Sequence, residues 1–328
     1  MKRHWSLHFA RRCARALAFC LFLAPFAAHA QDWPGKQPIK IIVPFSAGSA
    51  TDIIARTVFN QVGNQIGQSF VVENRGGAGT TLGSAMVARA DPDGYTLLVN
   101  STSHVVVAST YAHLPYSVAD DFVGISELAD MPFVVAAATK YNTLAALIAA
   151  GKKPGSHILY GTAGAGSSGQ LFMEHLRLVA GFAATNVPFR GTPEGMNEVI
   201  AGRIDLYPAP ALNALPLAKA GKVHALAISA TKRIALMPEV PTLAEVGLPD
   251  ALYNFWIGAF APAKTPKPIV ERLNREVAAA LVRPDIVEKI RNLGGTPTPM
   301  SASTFAAFVR REIAVNAQIV KESGYKPQ

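Results

Sequence analysis

Short apolar runs alternate with small-residue turns and amphipathic stretches along most of the chain. The first run, at residues 40–43, has the composition of a strand that is buried on both faces. Residues 44–50 form a loop of small side chains, after which Thr51 or Asp52 can cap a helix. Apolar residues then recur at helical spacing. This stretch therefore predicts a strand, a turn and a helix in that order.

The same unit recurs along the chain. Strands are predicted at residues 70–72, 96–99, 133–138, 158–160, 225–229 and 255–260, and helices at residues 144–150 and 170–179. After residue 260 the chain is predicted to be helical to its end, with helix starts near Pro266, Pro284 and Ser303. Alternation of this kind is typical of parallel sheets that are covered by helices on both faces. The pattern predicts an α/β fold.

The first thirty residues have the pattern of a secretory signal peptide. A basic leader without acidic residues precedes an apolar run at residues 16–28 and a small-x-small cleavage site that ends at Ala30. The apolar run is too short to span a bilayer. A twin-arginine signal and a lipid anchor at Cys20 are weaker alternatives, because the residues after the arginine pair fit poorly and bulky Phe19 precedes the cysteine. We expect export to the periplasm with cleavage near Ala30.

Removal of this leader changes both the charge and the cysteine content. It takes away five of the 31 basic residues, none of the 22 acidic residues and both cysteines, so the formal net charge falls from +9 to +4. The remaining basic residues are scattered, which argues against nucleic-acid binding. Disulfides and cysteine chemistry are excluded from the mature chain. Its length favours two lobes or domains.

Three loops share one construction and are the candidate ligand-binding segments. Residues 44–52, 74–81 and 161–169 are rich in small and hydroxyl side chains, and each joins a predicted strand to a predicted helix. The first turn of a helix has unpaired N–H donors and a partial positive charge, so it attracts an anion. Ligands of open α/β sheets also sit at the carboxyl ends of strands. Three such loops in one chain favour an anionic or carboxylate ligand.

Signatures of cofactor, metal and catalytic sites are weak or absent. Gly164-x-Gly166-x-x-Gly169 matches a dinucleotide-binding pattern, but no acidic residue follows at the spacing that a ribose contact needs. The zinc-protease, P-loop and Gly-x-Ser-x-Gly patterns are missing from the sequence. We expect no cofactor, no metal and no catalytic residue, and we expect each histidine to be a surface or hydrogen-bonded side chain. An exported α/β hydrolase-like enzyme stays open as an alternative, because a triad assembled in space leaves no local motif.

A series of short segments, in order along the chain, resembles a known family. The segments are Trp33-Pro34, Pro38 to Phe45, Thr51-Asp52, Ala55-Arg56, Val72 to Arg75, Gly77-Ala78-Gly79, Asp91 to Leu98, Leu114-Pro115-Tyr116, Asp121-Phe122, Pro188-Phe189-Arg190-Gly191, Ala220-Gly221-Lys222, Leu226-Ala227, Pro241-Thr242 with Glu245, and Ala259 to Pro262. They resemble the substrate-binding receptors of tripartite tricarboxylate transporters, also called the Bug family. The resemblance covers nearly the whole chain after the leader.

This resemblance implies an α/β, two-lobed periplasmic binding protein fold of type II, in which each lobe is a central sheet flanked by helices. The first lobe would comprise residues 31–130 and 253–328, and the second lobe residues 131–252. The ligand would lie in the cleft, which closes by a hinge motion. A non-catalytic receptor of this kind captures a small di-, tri- or aromatic carboxylate and delivers it to the membrane subunits of a transporter. We further expect a monomer, and an orphan binding protein that serves a sensor is a second alternative.

The resemblance also indicates which residues would contact the ligand, largely through backbone N–H groups and hydroxyls. One end would meet Phe45, Ser46, Ala47, Gly48, Ser49 and Thr51, supported by Ala78, Gly79, Thr80, Ser101 and Thr102, and the other end would meet Thr162, Ala163, Gly164, Ser167 and Ser168. Phe189, Pro208 and Ala209 complete the set. Whether Phe189 and Trp256 touch the ligand or pack in the core stays open.

Two departures from the family pattern bear on the ligand. Ser49-Ala50 stands where the family often has two glycines, which makes the first loop slightly more crowded and adds a hydroxyl. Ala209 stands where family members often carry an aspartate that can receive an amino or hydroxyl group. The loss of that carboxylate argues against amino-acid ligands. We therefore expect a less polar acid, such as an aromatic or aliphatic dicarboxylate.

Overall fold

The computed structural model describes residues 33–35 and 37–328. The chain divides into a unit of residues 1–36 and a compact unit of residues 37–328. Of the first unit only residues 33–35 are described, and they form a turn. The predicted signal peptide at residues 1–30, with its cleavage site near Ala30, lies outside the described residues. The helices and strands below belong to the second unit.

Strands and helices alternate in the second unit. The strands are β1 (Ile39–Val43), β2 (Phe70–Asn74), β3 (Thr96–Ser101), β4 (Phe122–Asp130), β5 (Phe133–Ala137), β6 (Leu159–Thr162), β7 (Thr185–Pro188), β8 (Leu206–Pro210), β9 (His224–Ile228), β10 (Trp256–Pro262) and β11 (Thr296–Pro297). The α-helices are α1 (Ala50–Ile66), α2 (Thr81–Ala88), α3 (Ser103–Thr110), α4 (Leu144–Gly151), α5 (Ser168–Ala180), α6 (Thr192–Ile200), α7 (Ala211–Lys219), α8 (Lys267–Leu281), α9 (Pro284–Asn292) and α10 (Ala302–Glu322). The short strand β11 interrupts a region that the sequence predicts to be wholly helical. No helix of the described residues is long and apolar enough to cross a bilayer.

Six strands form the first sheet, in the order β11-β4-β10-β3-β1-β2. β1 pairs in parallel with β2 and with β3, as the alternating pattern predicts. However, β10 runs antiparallel to β3 and β4, and β11 runs antiparallel to β4. The prediction of wholly parallel sheets is wrong here, because the chain returns to this sheet directly from the second one rather than through a crossover helix.

Five strands form the second sheet, in the order β7-β6-β8-β5-β9. β6 is parallel to β7 and β8, whereas β5 is antiparallel to its neighbours β8 and β9. The chain enters β5 straight from β4 and so has no crossover that would let β5 run parallel. As a result, Phe133 at the amino end of β5 lies opposite Pro210 at the carboxyl end of β8.

Two chain crossings connect the sheets and lie side by side. Residues 131–132 lead from β4 to β5, and residues 229–255 lead back from β9 to β10. The N–H of Met131 donates to the carbonyl of Phe255 at 2.9 Å. Ser229 Oγ donates to the carbonyl of Tyr253 at 2.9 Å and accepts from its N–H at 2.8 Å. A rotation between the sheets would bend both crossings at this point.

Aromatic side chains fill the core between the first sheet and α10. Phe305 is fully buried against Gly124 and Gly258, where added Cβ atoms would stand 2.7 and 2.4 Å from its ring atoms. Trp256 packs edge-on against Phe305, with ring centroids 5.9 Å apart. Its Nε1 donates to the carboxylate of Glu312 at 3.2 Å. Trp256 is therefore a core side chain.

His104, at the start of α3, is fully buried and has no hydrogen-bond partner among the described residues. Its ring lies 4.2 Å from Phe260 and edge-on to Phe122 at 4.8 Å, measured between centroids. Burial lowers the pKa of His104 to about 3, because apolar surroundings disfavour the imidazolium. The expectation that each histidine is exposed or hydrogen-bonded is wrong for this residue, since aromatic neighbours take the place of a polar partner.

We predict that His104 makes the folding stability fall in acid. Its pKa is 6.5 in the unfolded chain and about 3 in the folded one, so the unfolded state binds more protons between these values. The contribution to the free energy of unfolding should drop by about 1.4 kcal/mol for each pH unit below the unfolded pKa. Urea unfolding of the wild type and of His104→Met at pH 7 and pH 5 measures this loss. A stability difference between the two proteins that stays the same at both pH values would contradict it.

Candidate functional site

A cavity lies between the two sheets, at the edge where β1, β3, β6 and β8 have their carboxyl ends. It contains about 350 Å³ of empty space, part of which is open to solvent. The lining residues are Phe45, Ser49, Ala50, Thr51, Ser101, Ser103, Phe133, Ala163, Ser167, Ser168, Gly169, Thr192, Tyr207, Pro208, Pro210 and Phe255. Both sheets contribute to this wall, so the cavity exists only while they are close together.

Five helices begin at the cavity wall. Their N-cap residues are Ser49 (α1), Thr102 (α3), Ser167 (α5), Gly191 (α6) and Pro210 (α7). Residues of the first turn of four of these helices, and the cap of the fifth, line the cavity directly. N–H groups in a first helical turn have no acceptor within their own helix and carry a partial positive charge. The wall is therefore electropositive without containing a cation.

Hydroxyl groups supply the side-chain polarity of this wall. Eight lining residues carry a hydroxyl, and none of the lining residues carries a formal charge or an imidazole. Ser167 is 1% exposed, and its Oγ has no hydrogen-bond partner among the described residues. A buried hydroxyl without a partner costs free energy unless water or a ligand bonds to it. The Ser167 hydroxyl is thus available to bond water or a polar ligand atom in the cavity.

The start of α1 is held by a carboxylate that lies behind the wall. Ser49 Oγ accepts from the N–H of Asp52 at 3.3 Å, so Ser49 caps the helix, and not Thr51 or Asp52 as the sequence pattern suggests. Asp52 instead accepts from the N–H of Gly48 at 3.0 Å and from the side chains of Arg56 and Asn74. Burial would raise the pKa of Asp52, but these hydrogen bonds outweigh it and hold the pKa below its ordinary value. The ionised carboxylate fixes the loop between β1 and α1.

Aromatic and proline side chains form the apolar part of the cavity. The rings of Phe133 and Phe255 lie 4.6 Å apart between centroids. Phe133 is the first residue of β5 and Phe255 immediately precedes β10, and both strands run antiparallel to their neighbours. If the sheets were wholly parallel, these ends would lie at the opposite edge, so strand direction decides that the two rings reach the cavity.

Each sheet, together with the helices packed on it, is called the body of that sheet. Direct contacts between the two bodies show that the cleft between them is closed. At one rim the N–H of Ser46 donates to the carbonyl of Arg190 at 3.3 Å, and Asn213 Nδ2 donates to the carbonyl of Gly48 at 2.9 Å. In the middle, Ser103 Oγ lies 3.0 Å from Ser168 Oγ and accepts from the N–H of Ser168 at 3.0 Å. The starts of α3 and α5 therefore meet directly.

The other rim is closed by backbone packed on backbone. A Cβ at Gly79 would stand 2.2 Å from the carbonyl oxygen of Ala165, and a Cβ at Gly164 would stand 2.8 Å from the nitrogen of Gly79. Gly79 also has a left-handed φ of +58°, which favours glycine. Only glycine at residue 79 lets the two loops approach this closely.

The structure brings some of the predicted site residues to the cavity and leaves others outside it. Lining residues from the predicted set are Phe45, Ser49, Thr51, Ser101, Ala163, Ser167, Ser168 and Pro208. Ser46, Ala47, Gly48, Ala78, Gly79, Thr80, Thr102, Thr162, Gly164, Phe189 and Ala209 do not line it. Parts of the predicted loops at residues 44–52 and 161–169 therefore face the cavity, whereas no residue of the predicted loop at residues 74–81 lines it.

Several of the predicted residues outside the wall have identifiable structural roles. Thr102 Oγ1 accepts from the N–H of Trp256 at 2.9 Å and so joins the start of α3 to β10. Thr162 Oγ1 donates to Asn186 Oδ1 at 2.8 Å. Ala209 lies within β8, paired with Val134. Phe189 is half-buried beside Gly161 and Gly195, where it packs against the protein.

Half of the residues that line the cavity were not among those predicted from the sequence. The missed residues are Ala50, Ser103, Phe133, Gly169, Thr192, Tyr207, Pro210 and Phe255. Two of them carried a usable signal: Ser103 ends a polar stretch after a predicted strand, and Thr192 precedes a proline in the manner of a helix start. Phe133 and Phe255 carried none, because only the sheet topology brings them here.

The described residues contain no group of three or more His, Cys, Asp or Glu side chains arranged to hold a metal ion. What the cavity offers is backbone N–H groups, hydroxyls and apolar surface. This combination can bind a small anion with an apolar part, and it provides no charged partner for a cation.

Comparison with protein families identifies the chain. Residues 54–325 match the model of the tripartite tricarboxylate transporter family receptor. The chain belongs to this family.

Individual relatives agree with this assignment. The UPF0065 protein in the TAR-I ttuE-ttuC' intergenic region of Agrobacterium vitis is 36% identical over 307 residues, which cover 92% of this chain and 89% of the relative. The periplasmic binding protein BugD has a similar structure, with a TM-score of 0.84 and 30% identity over 89% of this chain and 99% of BugD. A protein from R. palustris, solved with adipate, has a TM-score of 0.86 and 30% identity over 90% of this chain and 100% of its own.

These findings confirm the predicted family and the two-lobed α/β binding-protein fold. The chain is a solute-binding receptor of the tripartite tricarboxylate transporter class, whose partners are a small-molecule ligand and a transporter. Receptors of this family are periplasmic.

We predict that Gly79→Ala holds the cleft open. The new methyl group would overlap the carbonyl of Ala165 only when the sheets are closed, so the variant should fold but have a larger radius of gyration in small-angle X-ray scattering. Gly67→Ala is the matched control, because Gly67 has a similar φ of +66° and nothing lies within 4 Å of its Cβ position. A radius of gyration that is unchanged in Gly79→Ala, or increased equally in both variants, would contradict the prediction.

Proposed function

We propose that the protein captures a small organic carboxylate in the cavity between its two sheets and delivers it to the membrane subunits of a transporter. The observation that carries this proposal is the convergence of five helix starts on a wall without formal charge. Unpaired N–H groups and hydroxyls stabilise a carboxylate through charge-assisted hydrogen bonds. The adipate bound to the R. palustris relative is consistent with a ligand of this kind.

The helix starts approach one another in pairs, which supports an acid with two anionic ends. The start of α3 meets that of α5 through Ser103 and Ser168. The start of α1 comes close to that of α6, since a Cβ at Gly48 would lie 3.6 Å from Pro193. The ring of Phe133 adds apolar surface to the same wall. We propose that each pair of helix starts receives one carboxylate and that the apolar surface covers the carbon chain.

The two sheets correspond to the lobes of this proposal. The first lobe would comprise residues 31–130 and 253–328, and the second lobe residues 131–252. The bonded crossings at Met131 and at Tyr253 support a hinge near both boundaries. Export with cleavage near Ala30 and a monomeric state belong to the same proposal. Intact-mass measurement and light scattering on the secreted protein test them.

A binding role is favoured over catalysis by the cavity chemistry. The eight lining hydroxyls have no imidazole or carboxylate beside them in the wall that could act as a general base. The imidazole of His104, which follows Ser103 in the chain, is instead packed between Phe122 and Phe260. We therefore propose that the protein is not an enzyme.

We predict that Ser167→Ala weakens carboxylate binding about tenfold, with adipate as the probe. The substitution removes a buried hydroxyl that lacks a partner in the protein, and a hydrogen bond to a charged group contributes about 1.5–3 kcal/mol. Ser303→Ala, at an exposed serine of α10, is the control. Isothermal titration calorimetry measures both. Equal adipate affinity in the wild type and Ser167→Ala would argue against Ser167 as a ligand contact.

We also predict that adipate binds more tightly than 2-aminoadipate. The two acids differ by one ammonium group, and no carboxylate in the wall compensates for its desolvation. The expected ratio of dissociation constants is at least tenfold in calorimetric titrations at pH 7. Tighter binding of 2-aminoadipate would overturn the assignment of a ligand without an amino group.

A further inference from the structure

One stretch of the second sheet's body is held on both sides by residues of the first. Residues 164–170, called the ligand loop below, place Ser167, Ser168 and Gly169 in the cavity wall. Immediately before them, Tyr111 Oη donates to the carbonyl of Ala165 at 3.0 Å and Thr110 Oγ1 donates to the carbonyl of Gly166 at 3.0 Å. Both donors belong to the body of the first sheet.

Immediately after Gly169, Gln170 is contacted by the C-terminal segment, which comprises residues 323–328. Oε1 of Gln170 accepts from the N–H of Gly166 at 2.7 Å and from Tyr325 Oη at 3.4 Å. Tyr325 Oη in turn accepts from Gln328 Nε2 at 2.8 Å. The C-terminal segment, which also belongs to the body of the first sheet, thus bonds Gln170, the residue whose side chain accepts from the N–H of Gly166.

The C-terminal segment is itself fastened to the residues beside Tyr111. The N–H of Gln328 donates to the carbonyl of Thr110 at 2.9 Å, and the N–H of Ala112 donates to the carbonyl of Gln328 at 2.7 Å. Tyr111 and Tyr325 therefore stand on one connected support. Burial raises the pKa of both tyrosines, so both hydroxyls remain protonated donors.

We propose that Tyr111 and Tyr325 are positioning residues that latch the ligand loop in the closed cleft. Neither side chain lines the cavity, so both act on the ligand through the loop. The latch can form only when the two sheets are together, and a bound ligand can leave only after it breaks. Its loss should therefore raise the rate of ligand dissociation more than it lowers the rate of association.

Hydrogen–deuterium exchange on the ligand-free protein tests the latch without reference to the ligand. The variant is the double substitution Tyr111→Phe and Tyr325→Phe, which keeps both rings and removes only the hydroxyls. Tyr141→Phe is the matched control, because its hydroxyl bonds Asp205 at 3.1 Å within the body of the second sheet. Amides of residues 164–170 should exchange faster in the double variant than in the wild type and the control. Equal exchange in all three proteins would overturn the latch.

Stopped-flow kinetics with adipate test its effect on capture, and this arm rests on the proposed function. Each lost hydroxyl should raise the dissociation rate constant about two- to tenfold, with little change in the association rate constant. Faster loop exchange without faster dissociation would overturn the positioning role. Failure of adipate to bind the wild type would count against the proposed ligand class, and the exchange experiment would still decide whether the latch exists.

Discussion

The structure depends on how unpaired N–H donors at helix starts are satisfied. Five helices begin at the wall of one cavity. The wall holds no acidic side chain that could accept hydrogen bonds from the N–H groups of their first turns. Some of these donors have a partner in the protein, as the N–H of Ser168 has in Ser103 Oγ and the N–H of Ala211 has in the carbonyl of Pro132. First-turn N–H groups without such a partner need water or an anion. Because the charge is dispersed over backbone groups and hydroxyls, the cavity can accept an anion without a buried arginine or lysine. Recognition by dispersed donors ties ligand binding to the position of whole helices.

Closure of the cleft follows from the same arrangement. The starts of α1 and α3 belong to one sheet and those of α5, α6 and α7 to the other, so a complete set of donors exists only when the sheets meet. The segments that make the closing contacts are the loops that carry the donors: Gly48 is bonded by Asn213, and Gly79 packs against Ala165. Motion of the sheets and the chemistry of the wall are thus coupled through a few loop residues.

Local sequence patterns predicted much of the fold, and the patterns together with the family resemblance predicted about half of the residues that line the cavity. Strand-turn-helix units and small-residue loops are local features, and they marked the loops that carry Ser49, Ser167 and Ser168, which line the cavity. Strand direction is not a local feature, so Phe133 and Phe255 were out of reach: β5 and β10 are antiparallel only because the chain passes directly between sheets. His104 was misjudged for a similar reason, since nothing local shows that Phe122 and Phe260 enclose it.

The central claim is that negative charge on the ligand is recognised by uncharged donors in the cavity. The most direct measurement compares each of a panel of mono-, di-, tri- and aromatic carboxylates with its own amide, by calorimetric titration of the protein after ligand has been stripped by unfolding and refolding. An amide has nearly the same shape but no charge. The account predicts that at least one carboxylate binds and that its amide binds at least a hundredfold more weakly. Binding of carboxylate and amide with equal affinity, or binding of none of the acids, would contradict it.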